Sequence, residues 1–449
     1  MPKKIVKFID LFSGMGGIRI GFEQAFKKAG YTPVCILTSE IKEAAIEAHK
    51  LNFPGEDILG DVTKIDTNDI GDFDFLLAGF PCQAFSVAGK QRGFADTRGT
   101  LFFEVERILK KKKPYGFILE NVEGLVTHDR ENKTDKTGRT LNTIIQSLEN
   151  MGYKVNWKVL NAKDFGLPQK RNRIYIVGTK TEKISLENFV EKNISFGRVQ
   201  EKGLPTIDDA FTQALLRQYQ PHELYGKSIK DKRGGENNIH SWELGIRGDT
   251  TDEEKDLLNR LLKERRKKHW AKVIGIDWMD GMPLTSKQIQ TFYDSDQLDE
   301  MLQHLEGMGY LVYEYPKKKI TVNHKDGRTS TERVPDETKQ KGYNIVTGKL
   351  SFEFSKILDP YTTTPTMVAM DMERVGVVDG AGIRKLTLNE GLALFGYPKK
   401  YSLEIYKDEN KMRKAGFDLL GNTVCVPVIQ AIAERLEKSF SIQRTEKGE

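Results

Sequence analysis

Along roughly the first 180 residues, short apolar runs alternate with stretches of helical periodicity. Ile5 to Phe12 reads as a short apolar strand with Asp10 near its end. A glycine turn, Ser13-Gly14-Met15-Gly16-Gly17, leads into a helix through Ile18, Phe22 and Phe26 that Gly30 closes. Val34 to Leu37 is a second strand ending on Ser39-Glu40, and Lys42 to Lys50 is helical. Asp57 to Asp61 marks the next strand end, and Phe73 to Ala78 reads as a buried strand running up to Cys82. A helix over Leu101 to Lys112, a strand over Tyr115 to Leu119 and a helix over Thr140 to Met151 follow. Tyr153 to Leu160 alternates as an outer strand does, and Arg173 to Gly178 adds one more. This rhythm predicts an α/β fold, a mostly parallel sheet with helices on both faces. Ligands of such sheets sit at the carboxyl ends of the strands, near the topological switch point. Asp10, Glu40, Asp61, Cys82 and Glu120 are therefore expected to converge on one edge.

From about Thr181 to Ile383 the rhythm breaks down, and charged and turn residues become dense. A helix beginning near Asp252 carries Leu257, Leu258, Leu261 and Leu262 and runs into the basic stretch Lys263 to Trp270, which reads as a phosphate-facing surface or as a solvated helix end, the first being favoured by the context. The loop from Lys230 to Trp242 is rich in side chains able to read base edges, although His240 and Trp242 are equally readable as packed residues. Lys407 to Lys414 looks like a charged connector. Val424 to Phe440 reads as a closing helix with Val428, Ile432 and Leu436 on its apolar face, packing back on the first domain. The expected division is 1–185, 186–412 and a returning segment 413–449.

At 449 residues and 51.1 kDa, with 38% hydrophobic and 30% charged residues, the chain is ample for two or three cored domains. A net charge of +6 and a pI near 8.8 permit a nucleic-acid partner without demonstrating one. Cys35, Cys82 and Cys425 make neither a disulfide framework nor a zinc site, which points to a reducing compartment and no metal. The start lacks the pattern of a signal peptide, and no stretch approaches the roughly 18 continuous apolar residues of a membrane helix. A cytoplasmic protein without a membrane partner is expected.

Two features carry chemistry. Cys82 follows Pro81 at a strand end and precedes a loop with Gly89, Gly93 and Gly99 interleaved with Lys90, Arg92 and Arg98. A thiol so placed suits a nucleophile under a closing loop; a small buried cysteine beside a solvated loop is the bland reading. The glycine turn fails the dinucleotide fingerprint, because counting from Gly14 the third position is Gly16 but the sixth is Arg19. Glu40 is placed to accept from ribose hydroxyls and Asp61 to take an exocyclic amine, which together suit a nucleoside without a pyrophosphate.

Several segments resemble, in order, the cytosine-5 DNA methyltransferases of bacterial restriction-modification type. They are Asp10-Leu-Phe-Ser-Gly-Met-Gly-Gly17, Gly79-Phe-Pro-Cys-Gln83, Glu120-Asn-Val122, Gln169-Lys-Arg-Asn-Arg173, Arg384-Lys-Leu-Thr387 with Glu390 and Gly396-Tyr-Pro398, and Gly421-Asn-Thr-Val424. One alone could arise by chance, but six in the family's order could not. The resemblance covers both ends of the chain and skips the middle, where the family places a variable target recognition domain.

The resemblance implies a Rossmann-like fold dependent on S-adenosylmethionine, with a smaller irregular recognition domain. Phe12, Gly14, Gly16, Gly17, Glu40, Ile41, Asp61, Val62, Pro81, Leu101 and Asn422 would line the donor site, with Ile41 where an aromatic residue often stacks on adenine. Cys82 would add to C6 of cytosine, Glu120 would serve N3 and the N4 amine, Arg173 would hold O2, and Arg171 and Arg173 would favour the thiolate. The base would be flipped from double-stranded DNA, with Gln83, Ser86, Lys90, Arg92 and Thr366 as DNA contacts. Val368 stands where the family usually has a second threonine. A monomer acting beside a separate cognate endonuclease is expected. A tRNA cytosine-5 methyltransferase of the same fold is the alternative; a dinucleotide-dependent oxidoreductase and a silent binding module fit the residues less well.

Overall fold

The structure, a computed structural model, describes residues 4–81, 101–232, 234–323, 329–347 and 352–446. The chain forms two units. One comprises Met1–Glu201, Asp359–Glu373 and Leu386–Glu449; the other comprises Lys202–Leu358 and Arg374–Lys385, narrower than the 186–412 stretch suggested by composition.

The first unit is built on a seven-stranded sheet. Its strands are β1 (Lys4–Leu11), β2 (Tyr31–Ser39), β3 (Ile58–Leu59), β4 (Phe75–Ala78), β5 (Gly116–Val122), β6 (Lys154–Asn161) and β7 (Asn172–Thr179). They lie in the order β3-β2-β1-β4-β5-β7-β6. Strands β1 to β5 pair in parallel, and only β7 runs against its neighbours β5 and β6. Helices α1 (Gly17–Lys28), α2 (Glu43–Asn52), α3 (Leu101–Lys112) and α4 (Arg139–Asn150) connect them. The central strand β4 reads FLLA with every residue buried, as expected of a strand covered on both faces. The alternating segment near Tyr153 becomes β6, the outermost strand on its side. The order reverses between β1 and β4, so the switch point opens beside the glycine turn and Gly79.

The two faces are covered by different means. Phe102, Val105, Ile108 and Leu109 of α3 join Leu141, Ile144 and Leu148 of α4 in one core. The other face is covered by α1 and by the closing helix Val426–Glu446. These helices approach closely because Gly21 has no side chain: a Cβ there would lie 2.7 Å from the Ile429 Cβ and the Val426 carbonyl. Phe440 packs on Phe75, Tyr115 and Phe26, with ring centroids 5.2, 5.0 and 6.2 Å away. Burying such a side chain contributes about 2–3 kcal/mol. Ahead of this helix, the expected charged connector is instead the start of a helix, Glu409–Asn422, capped by Asp408 accepting from the Lys411 amide.

The second unit centres on Trp242, Leu257, Leu258, Leu261, Leu262, Trp270 and Met282. Its principal helix, Asp252–Glu264, begins with a capping box between Thr251 and Glu254. Strands Gly382–Lys385, Val375–Asp379, Lys356–Ile357, Ser228–Ile229 and Asn238–Ile239 make a small mixed sheet. Leu311–Glu314 pairs with Gly342–Ile345, and Lys317–Asn323 pairs with Thr329–Pro335 as a separate antiparallel ribbon.

The basic run Lys263 to Trp270 divides: Lys263, Lys267, Lys268 and His269 stay exposed, while Arg265 and Trp270 do not. The helix stops at Glu264 and the chain turns inward, so Arg265 is buried with its Nη1 donating to Asn344 Oδ1, while Trp270 joins the core. His240 and Trp242 are also buried, their rings stacked 4.6 Å apart. His240 Nδ1 lies 2.6 Å from the Lys230 carbonyl, which can only accept, so that nitrogen carries the proton.

Candidate active site

A cleft of about 530 Å³ opens at the carboxyl ends of β1, β2, β4 and β5 within the first unit. Its volume suits one small organic molecule. Of the residues expected there, Phe12, Gly14, Glu40, Ile41, Asp61, Val62, Pro81, Leu101, Glu120, Arg173 and Asn422 all line it. Cys82, Gln83, Ser86, Lys90 and Arg92 lie outside the described residues.

The glycine turn shapes one wall. Phe12 adopts φ 54°, a left-handed conformation rare for a bulky residue, and Gly14 follows at φ 54°. The Gly14 amide donates to Glu40 Oε2 at 2.7 Å, and the amides of Ile41 and Lys42 each donate to Oε1 at 2.8 Å. Glu40 thus ties the turn to the end of β2 while still presenting acceptor lone pairs. Beside it Ile41 is 74% exposed, an aliphatic face available at the rim. Asp61 caps the short helix Val62–Lys64, accepting from the Thr63 amide and hydroxyl, and these bonds hold its carboxyl below the ordinary range.

Gly16 and Gly17 do not line the cleft; they are required for packing. A Cβ on Gly16 would come within 2.8 Å of the Phe53 ring, and one on Gly17 within 2.6 Å of the Tyr397 hydroxyl. The C-terminal segment therefore sits directly on the turn: Tyr397 bonds Thr423, and the Tyr401 hydroxyl donates to the Met15 carbonyl at 2.8 Å. Arg19, the residue that breaks the dinucleotide fingerprint, pairs with Glu23 and Glu56 and stacks 4.0 Å over the Phe53 ring.

Asp10 departs from the expected convergence. It is fully buried and does not line the cleft, neither oxygen has a hydrogen-bond partner among the described residues, and burial pushes its carboxyl up to about 8. Its β1 position faces Thr38 and Leu77 in the neighbouring strands.

At the floor of the cleft, Glu120 Oε1 lies 3.1 Å from Arg173 Nε, with both side chains largely buried. Burial raises the Glu120 carboxyl above its ordinary range, and Arg173 and Arg171 partly oppose this. A carboxyl raised in this way keeps its proton to higher pH than a free one and can still give it up. Gly79 adjoins this carboxyl: a Cβ there would lie in ordinary contact, 3.6 Å from Glu120 Oε2. Asn121, whose role was not foreseen, secures the neighbouring backbone: its Nδ2 donates to the Phe80 carbonyl at 3.2 Å. Its place inside Glu120-Asn-Val122 was the available signal.

Arg171 does not reach the cleft. It is buried, with Nη1 donating to the Met367 carbonyl at 2.9 Å and Nη2 to those of Gly421 and Thr423 at 3.0 and 2.8 Å. Its guanidinium lies 5.0 Å from the Phe395 ring, and burial pushes its pKa down to about 10. Three of its hydrogen bonds thus go to main-chain carbonyls, while Nε has no partner among the described residues, and the thiolate it was expected to favour belongs to Cys82, outside them. Thr366 is exposed and its hydroxyl donates to the Lys170 carbonyl at 2.7 Å. Thr423 and Leu419 complete the wall beside Asn422, whose side chain folds back onto the Asp418 carbonyl at 2.7 Å.

Among the described residues no group of three or more His, Cys, Asp or Glu side chains is arranged to hold a metal ion. No single helix there is long and apolar enough to cross a membrane.

A family model described as C-5 cytosine-specific DNA methylase matches residues 6–438. The type II methyltransferase M.NlaIV of Neisseria lactamica is 59% identical over 431 residues, covering 96% of this chain and 98% of the relative. The type II methyltransferase M.BanI of Aneurinibacillus aneurinilyticus is 40% identical over 456 residues, covering 96% and 95%. Among solved structures, the Entamoeba histolytica methyltransferase EhMeth superposes with a TM-score of 0.51 at 15% identity, covering 98% of this chain and 99% of that one, a likeness of fold alone.

Proposed function

Because the chain belongs to the C-5 cytosine-specific DNA methylase family and is a DNA cytosine-5 methyltransferase, we propose that Cys82, Glu120 and Arg173 perform the chemistry on a cytosine flipped out of the duplex beside the cleft described above. The observation that carries the reading is the buried Glu120–Arg173 pair on the floor of that cleft.

The family's methyl donor is S-adenosylmethionine, and the residues present fit it. Phe12, Ile41, Val62, Pro81 and Leu101 offer apolar surface, while Glu40 and Asp61 offer acceptors where ribose hydroxyls and an adenine amine need them. When bound, this group supplies an electrophilic methyl on a positively charged sulfur. C5 of a resting cytosine is too poor a nucleophile to take it. The Cys82 thiolate adds to C6, and the electron pair of the C5–C6 bond moves through the ring towards N3. Glu120 delivers a proton to N3, and its raised pKa keeps that proton available. Arg173 holds Glu120 through Nε and the Asn172 carbonyl through Nη1, leaving Nη2 for the ring O2. C5, now enamine-like, is methylated. Water or hydroxide then takes the C5 proton, the thiolate leaves C6, and the N3 proton returns to Glu120, which restores the ring and the enzyme. Cysteine suits both ends of this cycle, being nucleophilic as thiolate and a good leaving group.

The type II relatives suggest the setting: the protective arm of a restriction-modification system, acting in the cytoplasm as a monomer beside a separate endonuclease. Transfer of labelled methyl groups to unmethylated DNA, lost in Cys82→Ala, is the expected result. Transfer that survives Cys82→Ala, or that favours tRNA over DNA, would overturn the proposal.

A further inference from the structure

The reader of base sequence has to be an exposed element. The two stretches first suited to that role by composition, Lys230 to Trp242 and Lys263 to Trp270, send Trp242, Arg265 and Trp270 into the core of the second unit while Lys232, Lys267 and Lys268 stay exposed. The ribbon of Lys317–Asn323 and Thr329–Pro335 offers a longer regular exposed surface. Its strands form a two-stranded sheet of their own. Strand alternation places Lys317, Lys319 and Thr321 on one face, across from Pro335, Arg333 and Thr331. That face carries three cations and no carboxylate, and all of it except Lys317 is exposed. The other face carries Lys318, Ile320 and Val322 across from Val334, Glu332 and Ser330, with Val322, Ser330 and Val334 half-buried. Lys318, Ile320 and Glu332 of that second face are exposed as well, so the ribbon is open on both sides, and its cationic face is the more continuously exposed of the two.

The present partners of these cations are weak competitors. Lys319 Nζ is 3.4 Å from Asp277, Lys317 Nζ is 3.6 Å from Glu314, and Arg333 Nη2 donates to the Trp278 carbonyl at 3.1 Å. Exposed pairs of this kind contribute little and exchange readily for phosphate. The major groove of duplex DNA, about 12 Å wide, admits a two-stranded ribbon. Threonine hydroxyls can bond either kind of base edge and their methyls can touch thymine, whereas arginine can bond guanine twice.

We propose that this ribbon enters the major groove of the DNA substrate, with Thr321, Thr331 and Arg333 at base edges and Lys317 and Lys319 at flanking phosphates. The inference rests on the reading of the chain as a DNA methyltransferase, and it assigns sequence discrimination to one element.

Two double variants test it on a plasmid whose methylated cytosines have first been mapped for the parent enzyme by bisulfite sequencing. Thr321→Val with Thr331→Val keeps shape and charge at exposed positions. It should lower kcat/KM at the mapped sites by about 10- to 100-fold while leaving affinity for random-sequence duplex within about twofold. Lys319→Ala with Arg333→Ala should weaken binding to both DNAs and reduce the slope of log K against log salt by about 2. Unchanged S-adenosylmethionine affinity in both variants would report an intact first unit. Parental kcat/KM at the mapped sites in the valine variant, or an unchanged salt slope in the alanine variant, would overturn the ribbon assignment and leave the activity standing. A parent enzyme that methylates no DNA would overturn both.

Discussion

Arg171 donates from Nη2 to the main-chain carbonyl of Thr423 at 2.8 Å, and the same guanidinium holds the carbonyls of Gly421 and Met367. One side chain thereby joins a wall of the cleft to the segment that carries Thr366. Lysine cannot reproduce this planar fork. Arg171→Lys should lower stability by about 3 kcal/mol, because carbonyls are left without donors in a buried place. The urea midpoint should fall and donor affinity should fall with it. A shift in the pH dependence of methyl transfer at parental stability would instead make Arg171 part of the chemistry.

Glu120 gives a prediction in pH. Its carboxyl is raised, so the protonated form is present below the raised pKa and lost above it. The single-turnover rate should therefore fall as pH rises through that range. Glu120→Gln should lose about 10²- to 10⁴-fold in rate together with this dependence, while donor affinity holds. A Gln variant that retains the same basic limb would assign that limb to another group.

Phe12 offers a test of strain. Its left-handed backbone costs about 1–3 kcal/mol, which glycine would largely relieve. Phe12→Gly should consequently lose donor affinity, by about tenfold, without the loss of stability expected from removing a large ring. Calorimetric titration and thermal melting together separate the two effects. A variant with full affinity would show that the ring does not touch the donor.

Asp10 sets a slope of stability against pH. Its folded pKa of about 8 exceeds the ordinary 3.8, so between these values the folded state keeps a proton that the unfolded chain has released. Arg19 opposes this shift, while Glu40, Glu23 and Glu56 reinforce it, and the buried Tyr397 is coupled to the same carboxyl. The contribution of this group is fullest below the unfolded pKa and is lost as pH rises through about 8. Asp10→Asn should flatten that part of the profile in urea titrations from acid to mildly alkaline pH. Parallel profiles for parent and variant would contradict it.

What the chain discloses by pattern alone can be judged residue by residue. Glu40, Asp61 and Glu120 were legible because a strand end in a parallel sheet has one destination. Asn422 was legible only through the resemblance, since nothing local says that a residue so far along the chain returns to the first strands. The place of Arg171 was not legible: the resemblance groups it with Arg173, yet β7 begins only at Asn172 and the Arg171 side chain is buried among main-chain carbonyls. In the run at Lys263 most of the cations stay exposed and one does not. Charge density cannot tell which cation follows the chain inward when a helix stops, and here it is Arg265. Lys407 to Lys414 hid a helix because its apolar face, Phe417 and Leu420, lies beyond the charged start.

The closing helix has a consequence for when activity can exist during synthesis. Phe440 and Ile429 fill one face of the sheet that β1 and β4 begin, and Thr423 completes the cleft that Phe12 opens. A nascent chain that has released its first strands therefore holds an uncovered apolar face. It cannot close its donor site until the last turn of the sheet's cover has left the ribosome. The intervening 202–358 stretch is made before that moment. Synthesis thus completes the cleft only after the whole second unit's long stretch has been made, and a chain interrupted before Thr423 has no complete cleft.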